Sequence, residues 1–267
     1  MRRKQRTWGR GPEKAEQHYL VQPHYLAGGG DLRHVTEFLR AAGWKDRSKT
    51  GGPLVLDSPD KSVRLGYDLF VRPGGWTVSG RATVTQEAWH ATLSREVPSE
   101  IVAGLTDALT RPRPTQAPNV WAPLVHHGWE TVQGEHLTAR SPDGNAFVRY
   151  HQTSPGEAVW WASVRSEQTH VWDAVFTPTT PMHLVQSFAA ALASPEAVMR
   201  PRGQVPRSTQ IRAMAMSVLP SQLRAWRQAR VTAARTTPWT LNSPSSRRPH
   251  TTERPHTAAT GRRRVGR

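Results

Sequence analysis

The sequence predicts an α+β protein of two homologous tandem domains, each a helix, a four-stranded antiparallel sheet and a helix, with basic disordered tails. Three observations carry this. The tripeptide Ser-Pro-Asp occurs twice, as Ser58-Pro59-Asp60 and Ser141-Pro142-Asp143, each time between alternating apolar residues. The same 83-residue offset relates Leu54 to Leu137, Tyr67 to Tyr150, Trp89 to Trp172, Leu93 to Phe176, Pro98 to Pro181 and Leu109 to Leu192. Strand-like segments are grouped between helical ones, without the β-α alternation of a parallel sheet. So many matches at one offset mark an internal duplication. Copies of about 90 residues are each long enough to bury a core, so this is a domain pair and not a solenoid.

The elements follow in order. Val35, Phe38, Leu39 and Ala42 recur at helical spacing, with Asp31 as N-cap and Gly43 as the left-handed stop. Trp44 then anchors into the core. Leu54 and Leu56 alternate with polar neighbours, as do Val63, Leu65 and Tyr67. The Ser58-Pro59-Asp60 turn between them makes a hairpin. Trp76 and Val78 start a third strand after Gly74-Gly75. Trp89, Ala91 and Leu93 form a fourth. Pro98 suits the first helical position, and Ile101, Val102, Leu105, Ala108 and Leu109 give that helix one apolar face. The second copy repeats this order. Val120, Leu124 and Val125 precede Gly128-Trp129, at an offset of 85 from Gly43-Trp44. The hairpin follows, then Trp160-Trp161, then Trp172, Ala174 and Phe176. Thr180 would cap a helix from Pro181 through Leu184, Val185, Phe188 and Leu192.

The stretches "HYLAGGGDLRHVTEFLRAAGW", "SPD" and "PMHLVQSFAAALASP", with the paired tryptophans, resemble the tandem modules of an actinobacterial family catalogued as domain of unknown function 317. The resemblance spans residues 21 to 195. It implies a bacterial cytoplasmic protein of unknown activity and supplies no functional residues. Val97 departs from the pattern, since a Thr or Ser cap would suit that position.

The expected organisation is a basic flexible arm over residues 1–20, domains over 21–114 and 115–199, and an Arg-rich tail over 200–267, with a short helix near 217–233. The net charge of +16 is unevenly placed. Residues 1–14 carry +5 and residues 201–267 carry +13, leaving −2 on 15–200. Basic tails attract phosphate backbones through counterion release. The composition of 31 Arg against 5 Lys also fits an Arg-biased coding sequence, which would leave the tail inert.

Several chemistries are disfavoured. There is no cysteine, which excludes disulfides and thiolate chemistry. No apolar run reaches the ~20 residues that span a bilayer. The basic N-terminus is followed by no hydrophobic segment, unlike a secretory signal. The Gly run before Asp31 lacks the Lys-Ser/Thr of a nucleotide loop. The histidines form no His-x-x-x-His pair, and adjacent His126 and His127 would diverge on a helix. No catalytic residue, cofactor or metal is therefore expected.

Tryptophan is abundant, at eleven residues. Adjacent Trp160 and Trp161 cannot both point inward on one strand, so one is expected at a surface or at the joint between domains. An exposed tryptophan anchors partners or stacks on a base. The candidate binding surface is thus Trp160, Trp161, Arg224, Trp226, Arg227, Arg230, Arg262, Arg263 and Arg264. The leading expectation is a non-enzymatic cytoplasmic binding protein whose arms touch nucleic acid. The alternative is a protein-interaction adaptor or chaperone-like module that uses the sheet faces, with inert tails.

Overall fold

The computed structural model describes residues 13–71, 74–134, 136–154 and 157–236. The first copy comprises α1 (Arg33–Ala41), β2 (Lys45–Asp46), β3 (Leu54–Asp57), β4 (Val63–Asp68), β5 (Gly75–Gly80), β6 (Trp89–Ser94) and α2 (Ser99–Leu109). The second comprises α3 (Trp121–His126), β7 (Glu130–Gln133), β8 (Leu137–Arg140), β9 (Ala146–Ser154), β10 (Glu157–Ser166), β11 (Thr169–Phe176) and α4 (Met182–Ala193). Each copy therefore has five strands, where four were expected. The additional strand is the short segment directly after Gly-Trp.

The two repeated motifs meet in space. The Trp44 N–H bonds to Leu39 O and the Trp129 N–H to Leu124 O, at 3.0 and 3.1 Å, closing each helix in the same way. Gly43 and Gly128 supply the required positive φ, 92° and 77°. The Pro59 ring lies beside Gly43 and the Pro142 ring beside Gly128. In each hairpin the serine hydroxyl donates to the aspartate (2.7 Å in Ser58–Asp60, 2.6 Å in Ser141–Asp143). The same hydroxyl accepts the N–H of Val63 or Ala146, at 2.9 Å in both. Ser-Pro-Asp is thus a turn clasp that fixes the strand register, and Asp60 and Asp143 are occupied as turn residues.

The two sheets are not separate. β6 pairs antiparallel with β11, giving a single ten-stranded sheet in the order β2-β3-β4-β5-β6-β11-β10-β9-β8-β7. The pairing brings Thr92 opposite Val175, which is the residue 83 positions later. A residue paired with its own repeat equivalent places a pseudo-two-fold axis through that point. The copies are thus related as the halves of a dimer, within one continuous sheet. α2 and α4 also pack together across this axis. A Cβ on Gly104 would collide with the Ala191 Cβ, so the glycine permits the close crossing.

One face of the sheet packs on the helices. Leu56, Leu65, Trp76, Val78, Trp89, Ala91, Val148, Trp160, Trp172, Ala174 and Phe176 are buried there, in one core cluster with Leu39, Leu105, Leu184 and Phe188. The helix starts differ slightly from expectation. Pro98 and Pro181 stand one position before their helices, and neither helix has a side-chain cap. The Thr180 hydroxyl instead lies 3.2 Å from that of Thr177. Val97, its counterpart, is buried in the core. Pro123 lies in the first turn of α3, where a missing N–H costs no helical bond.

The flanks contain more structure than composition suggested. β1 (Glu16–Gln22) is the centre of a second, three-stranded sheet, between β12 (Val198–Pro201) and β13 (Arg212–Val218). α5 (Pro220–Arg235) then packs along α1. The expected flexible arm over residues 1–20 therefore includes a strand, and the expected tail over 200–267 is folded as far as residue 236.

Candidate functional site

Three features fall on the residues singled out by sequence. The first is α5. Pro220 opens it, and the Leu219 N–H donates to Gln222 Oε1 at 2.9 Å, which satisfies a terminal donor. Arg230 is not a free surface cation. Its two terminal nitrogens donate to the Asp107 carboxylate at 2.9 and 2.8 Å, and its Nε donates to His34 O at 2.8 Å. Its guanidinium also lies 4.5 Å from the Phe38 ring centre. Arg230 therefore fastens α5 to α1 and α2. Arg224 pairs with Glu13 at 2.7 Å, and Arg227 is 3.7 Å from Asp31; both stay well exposed. Trp226 is 49% exposed. Arg262, Arg263 and Arg264 lie outside the described residues.

The second feature is a cavity of about 1000 Å³ between α1, α5 and the three-stranded sheet. His18, His24, His34, Glu100, Arg200 and Trp226 are among its lining residues. Arg200 is almost fully buried and gives every one of its donors a partner. It bonds Glu100 through both terminal nitrogens at 2.7 and 2.8 Å, and it bonds the carbonyls of Ala27, Gly28 and Met199. Burial alone would raise the Glu100 carboxyl, but the Arg200 guanidinium outweighs it and holds the group below its usual range. Among the described residues, no group of three or more His, Asp or Glu is arranged to hold a metal. The strong ion pairs here are structural, because their charges are directed at each other and not at the space.

Burial, aided by nearby Arg230, lowers the pKa of His34 to about 4. Burial also lowers His24, and it takes His183 to about 4. A depressed histidine binds fewer protons folded than unfolded, so stability falls as pH drops from the unfolded value near 6.5 toward 4. The thermal midpoint is therefore expected to decline between pH 7 and 4.5. His34→Gln should flatten that decline, and an unchanged slope in this variant would show that His34 does not contribute.

The third feature is the sheet face opposite the helices. Trp160 is buried, with its ring 4.8 Å from Tyr150 and 5.2 Å from Trp121. It repeats the Tyr67–Trp76 pair of the first copy, at 4.6 Å, and so is removed from the candidate binding surface. Trp161 points the other way and is half-buried. It does not cover the joint between the copies, because β11 stands between its strand and β6. Its Nε1 donates to Asp173 Oδ1 at 3.0 Å. The Phe147 ring meets it edge to face at 5.0 Å. The Arg149 guanidinium lies 5.4 Å from Phe147 and 5.9 Å from Trp161. Sequence reading missed Phe147, Arg149 and Asp173. The signal available was their alternation with the core residues Val148, Ala162 and Trp172.

The family model SPDY, a domain of unknown function (DUF317), matches the chain twice, at residues 57–115 and 140–198. The DUF317 model thus recurs in tandem along this chain. No curated protein and no solved structure matches it. Each DUF317 match begins at the Ser-Pro-Asp hairpin and runs through the strands to the helix after them. β1, β13 and α5 lie outside both matches, so the basic helix and the part of the cavity wall that β1 and α5 supply are additions to the repeated part. The Trp161 cluster lies inside the second DUF317 match. The equivalents of Phe147, Arg149 and Asp173 in the first are Arg64, Gly66 and His90, so the duplicated scaffold carries the aromatic face in one copy only. No helix among the described residues is long and apolar enough to cross a membrane.

Proposed function

We propose that this chain is a non-enzymatic binding protein whose basic flanks contact nucleic acid without sequence preference. The observation that carries this reading is where the charge stands. Residues 15–200 total −2, whereas residues 201–236 hold seven arginines and no acid. Six of these arginines are exposed, and three of the six, Arg224, Arg227 and Arg235, belong to α5. The N-terminal segment enters beside the start of this helix, at the Glu13–Arg224 pair. The chain leaves α5 at Arg235, roughly 24 Å along its axis at 1.5 Å per residue. Residues 1–12 carry +5 and residues 237–267 carry +6, so basic segments attach at both ends of a basic helix. Such a line of cations suits a phosphate backbone better than a compact ligand.

The test is fluorescence anisotropy of the full chain on labelled nucleic acid across a salt series. Affinity should fall steeply, by roughly 10³-fold between ~50 and ~200 mM salt if about six phosphates are neutralised. Replacing Arg262, Arg263 and Arg264 by glutamine should weaken binding uniformly and reduce the salt slope by about one for each phosphate no longer neutralised. Absence of binding at low salt ends this reading and leaves the adaptor reading in its place. A truncation must stop after residue 236, because a cut at 200 also removes β13, α5 and the Arg230–Asp107 ion pair.

A further inference from the structure

The sheet face of the second copy bears a cluster that neither the fold nor the basic helix uses. Its composition follows from the strand register. Thr138 pairs with Arg149, Arg149 with Trp161, and Trp161 with Val175; one step along, Arg140 pairs with Phe147, Phe147 with Ser163, and Ser163 with Asp173. These residues alternate with the core positions and share the side away from the helices. The larger side chains of this face reach solvent: Arg140, Arg165 and Val175 are exposed and Trp161 and Phe147 half-buried, while the small Thr138 and Ser163 between them are buried. An aromatic pair in this position does no packing work that the core requires, because Trp160, Ala162 and Val148 already fill the helix side.

The charges around the rings are uneven. Among the described residues, Arg140, Arg149 and Arg165 take part in no ion pair, although Glu130 stands across the ladder from Arg140. Arg149 donates only to the Thr138 hydroxyl, at 3.1 Å. The carboxylate nearest the rings, Asp173, is already engaged by Trp161 Nε1 and by His170 Nε2, the latter at 2.8 Å. Guanidinium groups without an ion pair among the described residues thus share one face of the antiparallel sheet with two partly exposed aromatic rings, and that of Arg149 lies beside both rings.

We propose that this face is a stacking platform for single-stranded nucleic acid, with Trp161 and Phe147 receiving bases and Arg140, Arg149 and Arg165 receiving the backbone. The inference rests on the nucleic-acid reading above and narrows it to a strand whose bases are unpaired. A duplex keeps its base faces stacked internally and offers nothing to an aromatic ring on a sheet. A single strand presents both a π-face and a phosphate per nucleotide, which matches rings and arginines interleaved on neighbouring strands. An acidic protein surface would satisfy the arginines and leave the rings without a use. The first copy has Thr77 at the position of Trp161 and Gly66 at that of Arg149, so one platform per chain is expected.

The experiment uses the full chain, a fluorescein-labelled thymidine 20-mer and a labelled duplex of the same length, read by anisotropy at fixed salt. The chain should prefer the single strand. Trp161→Ala should weaken single-strand binding by ~10-fold or more while leaving duplex binding unchanged, the size expected when one base is deprived of its stacking partner. Trp161→Phe should recover most of that loss, and Arg149→Gln should weaken the single strand without altering the circular dichroism spectrum. If Trp161→Ala does not fold, Arg149→Gln and Arg140→Gln carry the same comparison, since neither side chain is buried in the core. Equal affinity for the two probes, or a preference unaltered in these variants, overturns the platform. Displacement of the oligonucleotide by polyglutamate as readily as by unlabelled strand also overturns it and assigns the face to acidic protein. The two proposals fail separately. Loss of all binding on Arg262/Arg263/Arg264→Gln, with Trp161→Ala silent, leaves the basic flanks standing and removes the platform; the converse pattern removes the flanks. No binding to either probe removes both.

Discussion

Arg200→Leu is expected to lower unfolding stability by about 3–5 kcal/mol, the cost usual when one partner of a buried ion pair is removed. Arg200 is 2% exposed and stands where β12, the loop before α1 and the start of α2 converge. Without it Glu100, whose side chain is 28% exposed at the cavity wall, loses its partner, and the carbonyls of Ala27, Gly28 and Met199 lose the donors that reach them. The Glu100 carboxyl, now held below its usual range, would move upward. The stability it contributes above the unfolded carboxylate pKa, and loses as pH falls, would disappear with the arginine. Arg200→Lys should fall between the two, because an ammonium keeps the charge but cannot span both carboxylate oxygens and three carbonyls. Guanidinium unfolding midpoints measure this, and a leucine variant equal to the parent would show that the network is not a stability element.

Trp172→Ala is expected to cost a similar ~3–5 kcal/mol, through the cavity left by a large aromatic in a close-packed core. Trp172 is fully buried, and its Nε1 donates to Tyr25 O at 2.8 Å. The Tyr25 hydroxyl in turn donates to Asp143 at 2.6 Å, and its ring meets Trp129 edge-on. The segment before the first copy is thus bound to the hairpin and core of the second, which makes the loss global. Trp89→Ala, the equivalent change in the first copy, should also be strongly destabilising, since Trp89 packs directly on Gly80. Because the sheet is continuous, each variant is expected to unfold in a single transition. Two resolved transitions would show that the copies unfold as independent domains.

The parts of the fold legible in the sequence are those set by neighbours along the chain. The Gly-Trp stop, the Ser-Pro-Asp clasp and the alternating hairpins depend on contacts within about thirty residues, so the 83-residue offset exposes them twice. What escaped depends on distant pairing. β1 meets β12 and β13 across nearly two hundred residues, and its run "EQHYLVQ" alternates too weakly to announce a strand. Arg230 finds Asp107 at a separation of 123 residues, so charge counting read a structural tie as part of a free basic tail. The fusion of β6 with β11 leaves no local mark at all, because an edge strand and a central strand can share one sequence pattern. The Trp160–Trp161 ambiguity was resolvable in part. Trp160 and its partner Tyr150 mirror Trp76 and Tyr67 with one inserted residue, which assigns Trp160 inward and Trp161 outward.

The Thr92–Val175 axis has a consequence for how such a molecule can diversify. Two identical copies joined at this seam would be bound to each other only by mass action, and every change on one face would appear on both. A covalent connection between α2 and α3 removes both constraints. Association becomes intramolecular and independent of dilution. Each half is also free to change its solvent face alone while the shared seam stays intact. One half can then remain a plain scaffold of threonine, glycine and histidine while the other acquires aromatic and cationic side chains, as Thr77 and Gly66 stand against Trp161 and Arg149.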